Sequence, residues 1–485
     1  MRIEKIKRLI DYLAIFGYTS VRWEVGMYMD LDGEDGVVNY MGGKYTHEQI
    51  KEIDDYAFER GIEVIPCVQC FKHSKYIQKY EKYKGAFLDG YIIGDDSVFE
   101  LLKRYFMTCK RLFRTNRIHI GADETFDLGR KEYIQKYGFA EQGEIYMRHL
   151  RKVIALVDEC GMECEMWGDM LKEMTRKFRN GDKDCTKNYL EDFPQNIRVI
   201  EWFYGGNYDD KELENIFGCY KGVSELAYCD AITTYPEYHP HNAVGLHTYE
   251  MHAKHIKNHN ISTYLVSIWN DYQACSLFSC LPALFVCSVY VHGEKLNEEM
   301  KEEFEKLVGI RFDDFMLLDL MNRDDDWPRV FIKDWLEESV FKQADIQDVD
   351  GANAEFAEYA DKLKKVDGKE FSLIFDSMQK FAEMMSIKAE LGKTIFTAYK
   401  NGEKEVLSDC VKDLAKFIER LDSFIESFNC RYVDEYLTGN DEFAANARLG
   451  GVRQNSVFCK QVLQKYLSGD LSSIEILDEQ VNGAM

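Results

Sequence analysis

The stretch Ile118-His119-Ile120-Gly121-Ala122-Asp123-Glu124 is a short β-rich run that ends in two adjacent acids. Residues 98–113 before it and 143–159 after it carry apolar side chains at helical spacing. A strand between two helices is typical of a βαβ unit, in which neighbouring strands run parallel. The stretch therefore predicts a parallel sheet with the acid pair at the carboxyl end of one strand.

The same alternation continues on both sides of this strand. Six further β-rich runs occupy residues 19–26, 62–69, 164–170, 197–205, 225–233 and 262–270. Helical patterns such as residues 47–60 and 247–258 lie between them. Repeated βα units favour a (β/α)8-type TIM barrel. A doubly wound sheet is the alternative, but no glycine-rich phosphate loop follows the first strand.

Beyond residue 293 the sequence pattern changes to helices alone. The predicted helices are residues 297–308, 335–343, 353–365, 371–400, 403–429 and 442–467. Acidic and basic residues are interleaved on their polar faces, which indicates solvated surfaces. We therefore predict a catalytic (β/α) barrel domain at residues 1–292 and an all-α C-terminal domain at residues 293–485.

Composition excludes several classes of function. The 485 residues include 85 acids and 61 bases, for a formal charge of −24, which disfavours binding to nucleic acid or to an anionic membrane. The first 16 residues form an amphipathic pattern rather than a signal peptide, and no apolar run is long enough to cross a bilayer. The 14 cysteines are scattered, as in proteins with reduced thiols. These features predict a cytoplasmic protein.

Acids and aromatic residues follow the predicted strands, where a barrel places its active face. Those singled out are Asp123, Glu124, His73, Trp167, Asp169, Trp202, Tyr204, Tyr235, Trp269 and Asp271. Aromatic rings stack on sugar faces and carboxylates bind sugar hydroxyls, so the set fits a carbohydrate pocket. Two adjacent carboxylates repel, which raises the pKa of one of them. Both can reach one substrate only where the strand ends and the backbone turns.

A metal-dependent hydrolase is a rival interpretation of the same barrel. His119, Asp169, His239 and His241 are residue types that bind Zn²⁺ or Mn²⁺ at barrel strand ends. Their spacing is not a recognised ligand pattern, and His119 lies within its predicted strand, where a buried histidine is the simpler interpretation.

The run from His119 to Glu124 resembles the H-x-G-x-D-E signature of family 20 glycoside hydrolases, the β-N-acetylhexosaminidases. The likeness is greatest to a bacterial subgroup with a helical C-terminal domain. Trp167-Gly168-Asp169-Met170 and His239-Pro240-His241-Asn242 are similar to other segments of that subgroup. The resemblance extends from residue 2 to about residue 480.

This resemblance implies a retaining exo-β-N-acetylhexosaminidase that uses substrate-assisted catalysis, without a metal or cofactor. Glu124 would be the general acid and base, and Asp123 would hold the acetamido group of the substrate. The resemblance also implies that Trp167, Trp202 and Trp269 form a sugar-binding wall beside Asp169. Asp271 would bind sugar hydroxyls, and His73 would lie at the rim. Tyr204 or Tyr235 would contact the acetamido group.

The sequence also departs from the family pattern. The family's first strand carries an Arg that binds sugar hydroxyls, and here the chain starts at the helix after it, so we expect a barrel that lacks its first strand. A catalytically weakened sugar-binding homologue is therefore an alternative function. The expected partner is a small glycan or glycoside that ends in N-acetylglucosamine or N-acetylgalactosamine. The resemblance and the charged helices also suggest a homodimer.

Overall fold

Each of the seven β-rich runs forms a strand of one parallel sheet. The computed structural model describes residues 1–26, 28–32, 43–73, 77, 80–204, 210–234, 237–259, 261, 263–270, 274–320, 332–342, 349–437 and 444–479. The strands are β1 (Ser20–Glu24), β2 (Glu63–Cys67), β3 (Arg117–His119), β4 (Glu163–Trp167), β5 (Ile197–Trp202), β6 (Glu225–Thr233) and β7 (Tyr264–Trp269). Their order in the sheet is their order in the chain, as expected for a TIM-barrel-like succession of βα units.

The register of the strands brings their carboxyl ends to one edge of the sheet. Cys67 at the end of β2 pairs with His119 at the end of β3, and His119 pairs with Glu165 on β4. Thr233 at the end of β6 likewise pairs with Trp269 at the end of β7. Residues that follow the strands therefore meet above this edge, as the sequence predicts.

The sheet does not close in the described part of the chain, because β1 and β7 each pair on one side only. The space between them continues the cleft above the strand ends, and the whole cleft has a volume of about 2090 Å³. Leu9, Leu13, Val266 and Leu284 line this space. The seven strands predicted from the sequence are the seven that the described residues contain, and they form an open half-barrel.

Helices connect the strands along the first half of the chain. They are α1 (Ile3–Ile15), α2 (His47–Phe58), α3 (Ser97–Leu112), α4 (Lys131–Tyr137), α5 (Gln142–Glu159), α6 (Asp169–Arg179), α7 (Asp210–Phe217), α8 (Asn242–Asn258) and α9 (Leu281–Val291). Local sequence determines some of their ends: Thr46 and Gln49 form a capping box at the start of α2. Apolar periodicity determines which face is buried: α3, for example, buries Val98, Leu101, Leu102, Tyr105 and Phe106.

The chain beyond β7 is helical throughout its described residues. Its helices after α9 are α10 (Glu298–Val308), α11 (Phe312–Phe315), α12 (Ile332–Glu337), α13 (Ala352–Leu363), α14 (Ser372–Lys388), α15 (Leu391–Asn401), α16 (Lys404–Glu435), α17 (Ala444–Ser468) and α18 (Glu475–Glu479). Among the described helices, none has the length and apolar character needed to cross a membrane.

The single helix predicted over residues 371–400 is wrong, because the chain breaks it into α14 and α15. Glu390 lies at the break, where its backbone N–H donates to the Asn353 side chain at 3.2 Å. The Glu390 carboxylate in turn accepts from the backbone N–H of Asn353 at 3.1 Å. This reciprocal pair ties the break to the start of α13. Such a contact is tertiary, so helical spacing within residues 371–400 cannot reveal it.

The barrel and the helical region share one buried core. Its side chains extend from Ile10 on α1 to Val452 on α17. Tyr238, in the loop after β6, packs against Phe381 of α14 with 5.9 Å between ring centroids. The boundary between residues 292 and 293 stays a prediction.

Candidate active site

The backbone turns sharply where β3 ends, and this turn brings both acids into the cleft. Gly121, Ala122 and Glu124 have φ values of 69°, 76° and 51°. Left-handed φ is strained for Ala and Glu, and such strain concentrates at functional sites. Asp123 and Glu124 both line the cleft. The turn predicted from the strand ending is present, and it overcomes the alternation of side chains along a strand.

Gly121 is required by its surroundings as well as by its φ. A Cβ at this position would lie 1.9 Å from Oε1 of Gln69. Gln69, which follows β2, donates from Nε2 to Oε2 of Glu24 at 3.1 Å. The close approach of Gln69 to Gly121 thus connects the ends of β1, β2 and β3 beneath the acid pair.

Two basic side chains from the loop after β2 face the acids. Lys72 Nζ lies 3.0 Å from the Glu124 carbonyl oxygen and 3.5 Å from Oε2 of Glu124. His73 Nε2 lies 3.7 Å from Asp123 Oδ2 and 3.6 Å from Glu124 Oε2. The His73 side chain is 42% exposed, which agrees with the predicted position at the rim.

Burial and mutual repulsion alter the protonation of the buried acids. Burial, with the neighbouring charge of Glu124, raises the pKa of Asp123 to about 6. Burial and the charge of Asp123 raise the pKa of Asp169 to about 7. Burial likewise raises the pKa of Glu24 to about 8. The site therefore holds carboxyl groups that exchange protons near neutral pH, as acid–base chemistry requires.

The predicted aromatic residues form one connected wall. Trp167 and Trp269 pack edge to face with ring centroids 5.9 Å apart, and Trp202 stacks on Tyr204 at 4.8 Å. The Trp269 indole donates to the Tyr204 hydroxyl oxygen at 2.8 Å. That hydroxyl then directs its own proton away from the indole. The wall offers the apolar faces and the polar group that a sugar ring needs.

Two predicted site residues, Tyr235 and Asp271, lie outside the described residues. The structure brings the other eight to the cleft or against the groups that line it. Asp169 is buried, and its carboxylate contacts the backbone of Glu124: the Glu124 N–H donates to Asp169 Oδ2 at 3.0 Å.

Several charged residues around the site were not predicted from the sequence. Lys72 is one of them, and its position next to His73 in the sequence could have identified it. Lys172 forms an ion pair with buried Glu201, and it lies one helical turn after Asp169. Below the acids, Arg22 on β1 makes two hydrogen bonds of 3.1 Å to Glu165 on β4. Charged residues inside a strand indicate such pairs only after the strands are assembled.

The structure does not assemble the predicted metal-hydrolase set. Among the described residues, three groups could hold a metal: His73 with Asp123 and Glu124, Glu237 with His239 and His241, and Glu214 with His255 and His259. None contains His119 or Asp169. His119 is buried, which lowers its pKa to about 4, and its Nδ1 accepts a hydrogen bond from the Gly121 N–H at 3.2 Å. The interpretation of His119 as a buried strand residue is the better one.

A βα-barrel sheet with an acid pair at its carboxyl edge and aromatic rings beside that pair suits carbohydrate binding. Comparison with protein families agrees with this class. Residues 1–204 match the model described as "Glycosyl hydrolase family 20, catalytic domain". Residues 340–482 match "Glycoside Hydrolase 20C C-terminal domain". The chain belongs to glycoside hydrolase family 20.

Individual relatives are more distant. Human Hexosaminidase D is 23% identical over 351 residues, which are 63% of this chain and 66% of that protein. A Beta-hexosaminidase of Porphyromonas gingivalis is 29% identical over 152 residues, 26% of this chain and 20% of that protein. The chain thus spans just under two thirds of the first relative and a fifth of the second.

Among solved structures, a β-N-acetylhexosaminidase from Bacteroides fragilis has a TM-score of 0.46 at 16% identity. It covers 64% of this chain and 66% of its own. A Vibrio harveyi exo-β-N-acetylglucosaminidase in complex with N-acetylglucosamine has a TM-score of 0.45 at 14% identity. It covers 66% of this chain and 56% of its own.

Proposed function

We propose that this chain is a retaining exo-β-N-acetylhexosaminidase that removes a terminal β-linked N-acetylhexosamine. The observation that carries the proposal is the acid pair Asp123 and Glu124, turned into the cleft together by the left-handed backbone at the end of β3. Membership of family 20 and the names of its hexosaminidase relatives support this substrate class.

The proposed reaction needs no nucleophile from the protein. Glu124 donates a proton to the glycosidic oxygen while the 2-acetamido oxygen of the substrate attacks C1, giving a cyclic oxazolinium ion and the released alcohol. Glu124 then takes a proton from water as the water attacks C1. The ring opens, the acetamido group is restored, and the two displacements at C1 retain its configuration.

Asp123 stabilises the positive charge that develops on the acetamido nitrogen. Its Oδ1 atom is buried and has no hydrogen-bond partner within the described ranges, so it can accept from the acetamido N–H. An adjacent acid suits this chemistry because the two carboxylates act on neighbouring parts of one sugar. Asp169 supports the pair through its bond to the Glu124 backbone.

The aromatic wall positions the sugar. Trp167, Trp202 and Trp269 surround the acetamido group and the ring face. Tyr204 accepts from Trp269 and directs its own proton to the acetamido oxygen. Tyr235 is the other tyrosine proposed for this contact, Asp271 would accept from sugar hydroxyls, and His73 would contact the departing group at the rim.

Release of p-nitrophenol from its β-N-acetylglucosaminide and β-N-acetylgalactosaminide tests the proposal and ranks the two sugars. We expect Glu124→Gln to lower kcat by about 10²–10⁴-fold. Glu63→Gln is the matched control, since Glu63 lies at the opposite end of the neighbouring strand and bonds Thr115 and Arg117. Equal turnover by wild type and Glu124→Gln would refute the assignment of the acid.

A second candidate, a sugar-binding homologue without turnover, is favoured by the opening that the described residues leave between β1 and β7. A sugar held by an incomplete ring of strands loses contacts on that side, which weakens orientation for reaction more than it weakens binding. Calorimetric binding of N-acetylglucosamine by a folded wild-type protein that releases no p-nitrophenol would support this candidate over the enzyme.

A further inference from the structure

The end of helix α16 reaches the cleft on the open side of the sheet. Tyr436 and Leu437 follow directly after α16, and both line the cleft above the strand ends. They belong to the helical half of the chain, whereas the acid pair and the aromatic wall belong to the barrel half. The cleft is therefore built from both halves.

On the β7 side, Tyr436 holds the residue that follows the strand. Asn270 comes directly after Trp269, the last residue of β7, and it also lines the cleft. Its Nδ2 donates to the Tyr436 hydroxyl oxygen at 3.1 Å and to the Cys275 carbonyl oxygen at 2.7 Å. The Tyr436 hydroxyl directs its own proton to the same carbonyl at 3.4 Å. These bonds restrain the chain where it leaves the aromatic wall.

A buried ion pair fixes the last turn of α16 on the same loop. Arg431 Nη1 donates to Oε2 of Glu435 at 3.1 Å, and both side chains are at most 4% exposed. The Glu435 carboxylate also accepts from the Ser276 hydroxyl at 2.6 Å. Arg431 in turn donates to the Ala274 carbonyl oxygen. Separation of this turn from the loop would break hydrogen bonds to two buried charges, which is unfavourable.

On the β1 side, Leu437 packs against Gly43 in the loop between β1 and α2. A Cβ at Gly43 would lie 2.9 Å from Cβ of Leu437, well inside the separation of about 3.5–4.0 Å that carbon atoms prefer. Two residues later, Tyr45 packs on Trp23 of β1 with ring centroids 5.2 Å apart. Contacts thus run from β7 through Tyr436 and Leu437 to the loop that packs on β1.

We propose that Tyr436 and Leu437 bridge the open side of the sheet at its carboxyl edge, with Tyr436 acting as a positioning residue for Asn270 and the adjoining Trp269. Within the described residues β1 and β7 do not pair with each other, so backbone hydrogen bonds between these two strands do not fix this side. The end of α16 supplies the restraint instead. The consequence for sugar binding rests on the proposed function, whereas the restraint itself does not.

Hydrogen exchange of the amides in residues 264–280, measured by mass spectrometry on the full-length protein, tests the restraint. Tyr436→Phe keeps the ring and loses the hydroxyl that accepts from Asn270. We expect these amides to exchange about 3–10-fold faster in the variant, as for the loss of one hydrogen bond. Tyr399→Phe is the matched control. Its hydroxyl bonds Asp478 at 2.9 Å, and Tyr399 is not among the described residues that line the cleft.

Gly43→Ala tests the bridge from its other side. The new Cβ would displace Leu437, so exchange in residues 264–280 should rise although Gly43 lies in a different loop. Gly218→Ala is the matched control, because no atom lies within 4 Å of the position that its Cβ would take. Unchanged exchange in residues 264–280 in both Gly43→Ala and Tyr436→Phe would overturn the proposal. If Gly43→Ala fails to fold, Tyr436→Phe decides alone.

Steady-state kinetics on p-nitrophenyl β-N-acetylglucosaminide measures the consequence for the sugar. Tyr436→Phe should raise KM by about 3–10-fold and change kcat by less than about twofold, because the wall binds the sugar and Glu124 moves the proton. Asn270→Ala should have a similar effect, and Tyr436→Phe should add nothing to it, since Tyr436 acts through Asn270. Tyr399→Phe should leave both constants unchanged.

Additive effects of Tyr436→Phe and Asn270→Ala on KM would show that Tyr436 does not act through Asn270, and this would overturn the positioning role. A folded wild-type protein that releases no p-nitrophenol counts against the proposed function alone. Hydrogen exchange in residues 264–280 then still decides whether the end of α16 restrains the loop after β7.

Discussion

The backbone N–H of Glu124 donates a hydrogen bond to Oδ2 of Asp169 at 3.0 Å. Glu124 follows β3, and Asp169 is the first residue of α6, directly after β4. This bond holds Glu124 in its left-handed conformation and joins two adjacent strand ends. The position of the proposed acid therefore depends on a second carboxylate that is itself 4% exposed.

Replacement of Asp169 tests this support. Asp169→Ala leaves the Glu124 N–H without its acceptor, which costs about 1–3 kcal/mol, and we expect kcat to fall by about 10–100-fold. Asp169→Asn retains an acceptor oxygen and should retain more activity. Asp54→Ala is the matched control, because buried Asp54 accepts from the Arg114 N–H at 3.1 Å and is not among the residues that line the cleft. Equal losses of kcat in Asp169→Ala and Asp54→Ala would contradict the claim that Asp169 positions Glu124.

Lys72 should shift the acidic limb of the pH profile, which the ionisation of Asp123 sets. Asp123 must be ionised to stabilise a positive acetamido nitrogen, and its pKa is raised to about 6, so kcat/KM should fall as the pH drops through about 6. The charge of Lys72 lowers that pKa. Lys72→Met should therefore move the limb to higher pH, whereas Lys72→Arg should leave it near the wild-type position. An unmoved limb in Lys72→Met would exclude Asp123 as the titrating group.

Gly121→Ala should destabilise the fold more than alanine at another left-handed glycine. Gly61, with a φ of 74° and no atom within 4 Å of the position that a Cβ would take, is the matched site, and Gly61→Ala should cost about 1–2 kcal/mol. At Gly121 the contact with Gln69 adds to that strain. Denaturant unfolding measures both variants. The double variant Gly121→Ala, Gln69→Ala should recover part of the difference, and no recovery would show that the Gln69 contact is harmless.

Glu24 should make stability depend on pH. Burial raises its pKa from 4.5 to about 8, so between these values the folded state binds more protons than the unfolded state. The free energy of unfolding then falls as the pH rises through this window. Glu24→Gln removes this loss and still accepts from Gln69. We expect the variant to gain about 3–4 kcal/mol relative to wild type between pH 5 and pH 8. Glu63→Gln is the control, and equal slopes in all three proteins would contradict the prediction.

Paired tyrosine variants identify the acetamido contact. If Tyr204 donates to the substrate, Tyr204→Phe should lower kcat by about tenfold or more, since the phenylalanine keeps the stacking on Trp202 but loses the hydroxyl. Tyr235→Phe should then have little effect. The reverse order in steady-state kinetics would assign the contact to Tyr235.

The sequence predicted the architecture well because the relevant signals are local. Seven β-rich runs became seven strands, and the acid pair fell where β3 ends. Periodicity of apolar residues reports which face of an element is buried, and that information is contained in the element itself. The prediction of a single helix over residues 371–400 failed for the opposite reason. At the break, Glu390 bonds Asn353 of α13, and this contact joins two different helices. The cytoplasmic location and the homodimer stay predictions.

The sequence predicted which acids and aromatic residues belong to the candidate site, but it did not predict the charged pairs that surround them. Acids and tryptophans at strand ends were visible in the sequence, because parallel strands bring their ends together. Three charged pairs were not visible in the sequence. They are Lys72 with Glu124, Lys172 with Glu201, and Arg22 with Glu165 across the sheet. Each of these pairs joins different elements, and its existence depends on the path of a loop or the curvature of the sheet.

By itself, then, the amino-acid sequence determined the order of strands and helices, the edge of the sheet at which the candidate site lies, and the family signature from His119 to Glu124. The tertiary structure alone decided that Asp169 supports Glu124, that β1 and β7 remain unpaired with each other in the described residues, and that Glu237, His239 and His241 converge. The physical reason is the separation along the chain of the residues that interact. Helical and strand periodicity arise from neighbouring residues, whereas hydrogen bonds and ion pairs between loops arise only when distant segments pack together.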